Sequence, residues 1–86
     1  MPIGQPPVTP EVAMGRAIAA VRIIRGMSRT QLAAKGECSY PYICGIENGN
    51  ISSSVRKLDK IAGALNTTLG QLTKFAEEIE LGIPPI

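Results

Sequence analysis

The side chains that carry most covalent and metal chemistry in proteins are scarce in this sequence. Two cysteines, Cys38 and Cys44, are present, and histidine is absent. A disulfide framework in so short a chain, or a structural zinc site, needs more cysteine or histidine than this. Cys44 has no base to activate it, the serines cluster at predicted helix starts, and the carboxylates form no convergent pair. We therefore expect no enzyme, no metal, no cofactor and two reduced thiols.

Basic side chains are the remaining candidates for chemistry, and they are unevenly distributed. Residues 1–57 hold seven Arg or Lys against three Asp or Glu, a net charge of +4, whereas residues 58–86 carry −2. An asymmetry of this kind is typical of a protein that presents one end to phosphates and the other to water or a partner. Chance produces similar imbalances, so the interpretation depends on where these residues lie.

Length and composition favour one small helical domain. The chain is 44% hydrophobic but only 3% aromatic, without tryptophan, which suits short packed helices better than a sandwich or barrel. The N-terminus has neither the basic start nor the apolar stretch of a signal peptide, and no apolar run approaches the ~18 residues of a membrane span. We expect a cytoplasmic protein with no membrane contact, a flexible arm over 1–8, a domain over 9–82 and a tail over 83–86.

Capping residues and apolar periodicity predict five helices joined by short loops, an all-α fold. The predicted helix starts are Thr9, Ser28 with Gln31 as a capping box, Ser39, one of the serines 52–54, and the segment Asn66-Thr67-Thr68. The predicted ends are Gly26, Gly36, Asn48-Gly49, Asn66 and about Leu81. Inward-facing stripes are predicted to include Ile24 in the first helix and Val55 in the fourth.

The second and third helices are short and separated by about four residues, Gly36 to Ser39, which predicts a sharp crossing with a protruding third helix. The ordered segments Ile18–Arg22, Gly26–Ala33 and Ser39–Gly49 resemble the helix-turn-helix domain of Cro and lambda-type (XRE-like) phage repressors. The wider class includes small bacterial regulators and restriction-modification controller proteins. The resemblance covers about residues 12–75, with the helix-turn-helix at about 28–49.

The resemblance implies a sequence-specific transcriptional regulator that inserts its third helix into the major groove of double-stranded DNA. It implies a structural ion pair between Arg22 and Glu47. It places Arg29 at the second helix, and Asn48 and Asn50 after the third, on DNA phosphates, with Ser28 as a further candidate. The loop over 51–54 lacks the basic residues that many relatives have there, so Arg56 and Lys57 in the fourth helix are the nearest substitutes.

Ile43 and Ile46 are predicted to face the core, so Tyr40, Pro41, Cys44 and Gly45 face outward, with Tyr42 on the flank. The resemblance implies that the four outward positions contact bases. This chain departs from the family there, because it lacks the Arg, Gln or Asn that grip base edges with two hydrogen bonds. Each tyrosine offers one hydrogen bond and apolar contact, or packs within the protein instead. DNA shape or the N-terminal arm is therefore a second expected source of specificity.

The fifth helix and tail hold more apolar residues than one terminal helix needs, which favours a homodimer on a palindromic site. The candidate interface residues are Phe75, Ile79, Leu81, Ile83 and Ile86, although the first of these also suits closure of the monomer core. We expect no small-molecule ligand.

The alternative to DNA binding is a helix-turn-helix fold that binds protein, as an adaptor or antitoxin. A third interpretation is a fragment of a longer repressor.

Overall fold

The computed structural model describes residues 8–82, which form five helices and no strand. The helices are α1 (Pro10–Ile24), α2 (Arg29–Lys35), α3 (Tyr40–Glu47), α4 (Val55–Ala64) and α5 (Leu69–Glu80). The all-α prediction with five helices is confirmed. The predicted arm over 1–8, apart from Val8, and the tail over 83–86 lie outside the described residues. Within the described part, no helix combines the length and apolarity needed to cross a membrane.

Hydroxyl side chains fix the beginning of every helix. At each start, a Ser or Thr oxygen accepts a hydrogen bond from the backbone N–H three residues later, and each such cap stabilises a helix by about 1 kcal/mol. The capping residues are Thr9, Ser28, Ser39, Ser54 and Thr68. At α2 the capping box is complete, because Gln31 Oε1 also accepts from the Ser28 backbone N–H at 2.8 Å. Of the three candidate serines, Ser54 caps α4.

The core consists of aliphatic side chains contributed by all five helices. Its largest fully buried members are Ile18, Leu32, Ile43, Ile61, Leu65 and Leu72. Two predicted core residues are exposed instead: Ile24 is 73% exposed and Val55 is 71% exposed. Both occupy helix ends, the last residue of α1 and the first of α4. The helical period extends the apolar stripe to the last turn of a helix. A residue in that turn is buried only if another element packs opposite it.

Glycines allow α1 and α3 to approach closely. A Cβ on Gly15 would stand 2.2 Å from the Ile46 carbonyl oxygen, so only glycine permits this crossing. Gly49, which follows α3 with φ of +75°, lies against Val12 of α1 in the same way. The third helix is thereby seated directly on the first.

The α2–α3 turn has the predicted four residues, and its left-handed residue is not the glycine. Gly36 is the C-cap with φ of −84°, and the left-handed residue is Glu37, with φ of +57°. The space at Gly36 is tight, because a Cβ there would lie 3.2 Å from the Leu32 carbonyl oxygen. The Cys38 N–H donates to the Ala33 carbonyl at 2.9 Å and closes the turn. The turn thus connects α2 directly to α3.

Candidate nucleic-acid interface

The third helix has two distinct faces. Ile43 and Ile46 are buried in the core, as predicted from the sequence. Tyr40, which is 49% exposed, and Pro41 face outward from the first turn, where the amide of Pro41 would have no intrahelical partner. The helix therefore presents its N-terminal turn to solvent while its opposite face is anchored.

Gly45 does not belong to the outward face. A Cβ at Gly45 would stand 2.2 Å from Ile51 Cδ1, so the α3–α4 loop covers the position. The sequence prediction that Gly45 looks outward is therefore wrong. Its small size admits Ile51, whose N–H also donates to the Gly45 carbonyl oxygen at 3.2 Å.

Tyr42 lies on the flank of α3 and is tied to the loop and to α4. Its hydroxyl is 2.5 Å from Ser53 Oγ, and the Lys57 ammonium stands 4.6 Å from the centre of its ring. This packing is the alternative that the sequence left open for the tyrosines, and here it applies to Tyr42. The contact places the Lys57 charge beside α3.

Arg22 and Glu47 are brought together as a two-pronged ion pair between α1 and the end of α3. Arg22 Nε donates to Glu47 Oε2 at 2.7 Å and Nη2 donates to Oε1 at 3.1 Å. Only 13% of the Arg22 side chain and 1% of the Glu47 side chain are exposed. Arg22 Nη1 also donates to the Met27 carbonyl at 3.0 Å, so the pair fixes the α1–α2 turn as well.

Arg29 also pairs with Glu47, a contact that the sequence did not predict. Its Nε donates to Glu47 Oε1 at 2.9 Å, and its Nη1 lies 3.6 Å from Cys44 Sγ. The hydrogen bond and the charge of Glu47 raise the Arg29 pKa. Glu47 thus joins α1, α2 and α3. The sequence carries little signal for this contact, because Glu47 lies eighteen positions from Arg29 and was already paired with Arg22 in the prediction.

The other predicted phosphate residues surround α3 at the surface. Ser28 is exposed, with its Oγ used as the α2 cap, and Asn48 is the exposed C-cap of α3. The Asn50 side chain is exposed while its backbone N–H donates to the Gly45 carbonyl at 2.8 Å. Arg56 and Lys57 are exposed in the first turn of α4. The basic groups therefore lie on two sides of the outward face: Arg29 on one, and Arg56 with Lys57 on the other.

The predicted dimer residues separate into two groups. Phe75 and Ile79 are half-buried and pack against the core, whereas Leu81, the C-cap of α5, is 76% exposed. Ile83 and Ile86 lie outside the described residues. Phe75 and Ile79 therefore contribute to the packing of the monomer core.

Two short helices crossing at a four-residue turn, with the second anchored on one face and exposed on the other, define a helix-turn-helix domain. The family model described as Helix-turn-helix matches residues 18–72, and the chain belongs to this family. Comparison with curated protein sequences finds no match.

Several solved structures are similar to this chain. The clp gene regulator ClgR from C. glutamicum is 23% identical, with a TM-score of 0.85 over 87% of this chain and 96% of that one. The restriction-modification controller protein C.AhdI from Aeromonas hydrophila is 28% identical, with a TM-score of 0.70 over 71% and 92%. The controller protein C.Esp1396I, a tetramer in complex with its natural 35 base-pair operator, is 22% identical, with a TM-score of 0.77 over 84% and 95%.

Proposed function

We propose that this protein is a sequence-specific, double-stranded DNA-binding transcriptional regulator that inserts the N-terminal turn of α3 into the major groove. The observation that carries the proposal is the two-faced α3, anchored by Ile43 and Ile46 and exposed at Tyr40 and Pro41. Basic side chains lie on both sides of that exposed turn, where a bound duplex would place its phosphates. The family, and the operator complex of its structural relative C.Esp1396I, support the same function.

Arg29 is proposed as the principal phosphate contact. Its Nε donates to Glu47 and its Nη1 lies 3.6 Å from Cys44 Sγ, while 34% of the side chain is exposed to solvent. A guanidinium fixed at one edge and open at the other is suited to an anionic oxygen, because little side-chain freedom is lost on binding. Arg56, Lys57, Ser28, Asn48 and Asn50 are proposed to add phosphate contacts around it.

Base readout is proposed to rest mainly on Tyr40, with Pro41 and Cys44 beside it. The Tyr40 hydroxyl can donate or accept one hydrogen bond, and its ring can contact a thymine methyl. One hydrogen bond of this kind distinguishes between bases less well than the two hydrogen bonds of a bidentate Arg or Asn side chain. Sequence-dependent DNA shape is therefore proposed to supply part of the specificity.

A homodimer is proposed as the binding unit, because two copies related by a two-fold axis would place two α3 helices about 34 Å apart, on successive turns of one DNA face. The C.Esp1396I relative is a tetramer on its operator, which supports assembly on DNA.

The test is selection of bound duplexes from a random pool at about 50 and 200 mM salt. The expected result is an enriched palindrome with half-sites about one helical turn apart. Arg29→Ala is expected to weaken binding to all duplexes and reduce the slope of log affinity against log salt by about one. No enrichment, with weak binding at both salts, would overturn the proposal in favour of the protein-binding alternative.

A further inference from the structure

The Tyr42 side chain links α3 to the loop that leads into α4. The side chain is half-buried and packs against the core, and its hydroxyl is 2.5 Å from Ser53 Oγ. The core therefore holds the body of the ring, while the loop holds its hydroxyl. A ring that is held at both places keeps one orientation, so its face is a fixed surface beside α3.

The face of this ring holds the Lys57 ammonium. The two are 4.6 Å apart, measured to the ring centre, which is within the range of a cation–π interaction. The Lys57 backbone is also fixed, because its N–H donates to Ser54 Oγ at 3.2 Å in the cap of α4. A lysine that is restrained at its backbone and at its ammonium loses less conformational entropy on meeting an anion than a free lysine does.

A comparison with Lys60, the next lysine of α4, shows what is special about this contact. Lys60 Nζ lies 2.5 Å from Glu37 Oε1, so a carboxylate of the α2–α3 turn offsets its charge. The ring beside Lys57 has no net charge to set against the ammonium. Tyr42 therefore restrains the Lys57 side chain while its positive charge stays available to a phosphate.

The two tyrosines of α3 consequently differ in what they can offer to DNA. Tyr40 is 49% exposed in the outward-facing first turn of the helix. Tyr42 has its hydroxyl engaged with Ser53 and its ring face engaged with Lys57. A tyrosine reads a base through a hydrogen bond from its hydroxyl or through apolar contact of its ring, and both parts of Tyr42 already have partners within the protein.

We propose that Tyr42 is a positioning residue, which holds Lys57 for a contact with a DNA phosphate and does not itself read a base. The inference rests on the proposed function and deepens it, because it assigns one side chain of α3 to recognition of the DNA backbone. Phosphate contacts fix the placement of a protein on the duplex but carry no sequence information directly. Loss of the Tyr42 ring is therefore expected to weaken binding to every duplex by the same factor.

The first test examines the contact between Tyr42 and Lys57 without DNA, by NMR of the full chain. The ring current of Tyr42 is expected to shift the Lys57 Cε methylene protons upfield in wild type and in Tyr42→Phe, but not in Tyr42→Leu. Tyr42→Phe is the matched variant, because it keeps the ring and loses only the hydroxyl. Both variants are expected to keep their helical circular dichroism. Lys57 methylene protons without an upfield shift in wild type would overturn the inference.

The second test is a double-mutant cycle on DNA affinity, measured by fluorescence anisotropy. Tyr42→Leu is expected to bind ~2–5-fold more weakly than wild type, the factor that corresponds to an exposed cation–π contact, whereas Tyr42→Phe binds like wild type. In a Lys57→Met background, Tyr42→Leu is expected to cause no further loss, because the ring has no ammonium to hold. Lys60→Met is the matched background, since it removes the same charge from the same helix, and there Tyr42→Leu is expected to cause its full loss.

The outcomes separate this inference from the proposed function. Equal losses from Tyr42→Leu in the Lys57→Met and Lys60→Met backgrounds would overturn the inference, because the ring would then act independently of Lys57. A changed base preference of Tyr42→Leu in duplex selection would also overturn it, because Tyr42 would then read a base. Both results leave DNA binding by wild type intact. Wild-type protein that binds no duplex would instead overturn the proposed function, and with it the phosphate contact of Lys57.

Discussion

Replacing Glu47 by alanine removes the acceptor that holds three helices together. The carboxylate accepts three hydrogen bonds from two arginines and its side chain is 1% exposed. The truncation leaves Arg22, which is 13% exposed, with a partly buried charge and two donors unpaired. Arg29 is released at less cost, because 34% of its side chain already meets solvent and water screens its charge.

The expected loss follows from the burial of the pair. Breaking one side of a buried ion pair destabilises a protein by about 3–5 kcal/mol. We take the lower end, about 3 kcal/mol, because Arg29 and the edge of Arg22 regain water. A domain of this size shifts its Tm by about 4–8 °C per kcal/mol, so Glu47→Ala is expected to melt ~12–24 °C below wild type.

The assay is thermal and urea denaturation followed by circular dichroism. Lys60→Ala is the matched control, because it removes an ion pair with Glu37 in which the side chains are 56% and 71% exposed. The control variant is expected to stay within about 1 kcal/mol of wild type. A Glu47→Ala melting temperature within about 2 °C of wild type would refute the reasoning, since the carboxylate would then contribute no more than a surface charge.

Three further predictions concern individual side chains of α3 and its surroundings. Tyr40→Ala is expected to change the base preference found by duplex selection, and an equal loss of affinity on every duplex would contradict its base-reading role. Gly45→Ala places a Cβ 2.2 Å from Ile51 Cδ1 and is expected to cost about 1–3 kcal/mol in urea denaturation, with recovery in the double variant that adds Ile51→Ala. If the double variant is no more stable than the single one, the clash is elsewhere. Burial raises the pKa of the Cys38 thiol, so its contribution to stability is present below the thiol pKa of the unfolded chain, about 8.5, and is lost as pH rises through the higher pKa of the folded state. The rate of Cys38 alkylation against pH, measured in the Cys44→Ser background, should have its midpoint above that of the urea-unfolded chain; a lower midpoint would contradict the burial.

Helix starts were predictable because the chemistry that fixes them is local. The Ser28 hydroxyl and the Gln31 side chain are three residues apart, and both halves of the capping box are found. The helix-turn-helix likewise follows from the short spacing between Gly36 and Ser39. These features need no knowledge of the rest of the molecule.

The wrong or missing predictions concern residues whose burial or pairing depends on which other element packs against them. Ile24 continues the apolar stripe of α1 but extends to an open groove, so periodicity alone placed it in the core. Gly45 was predicted to face outward, and the α3–α4 loop brings Ile51 over it. Arg29 meets Glu47 only after α2 and α3 cross. Each case involves residues that are distant in sequence or set by the path of a loop.

The division of α3 into two faces has a consequence for how this domain can change its target. Ile43, Ile46 and Glu47 secure the helix from one side, while Tyr40 and Pro41 contribute little to the packing that holds it. Substitutions at those two positions are therefore expected to cost less stability than substitutions at Ile43, Ile46 or Glu47. A library randomised at Tyr40 and Pro41 should yield mostly folded members, which makes the domain a ready scaffold for retargeting to new operators.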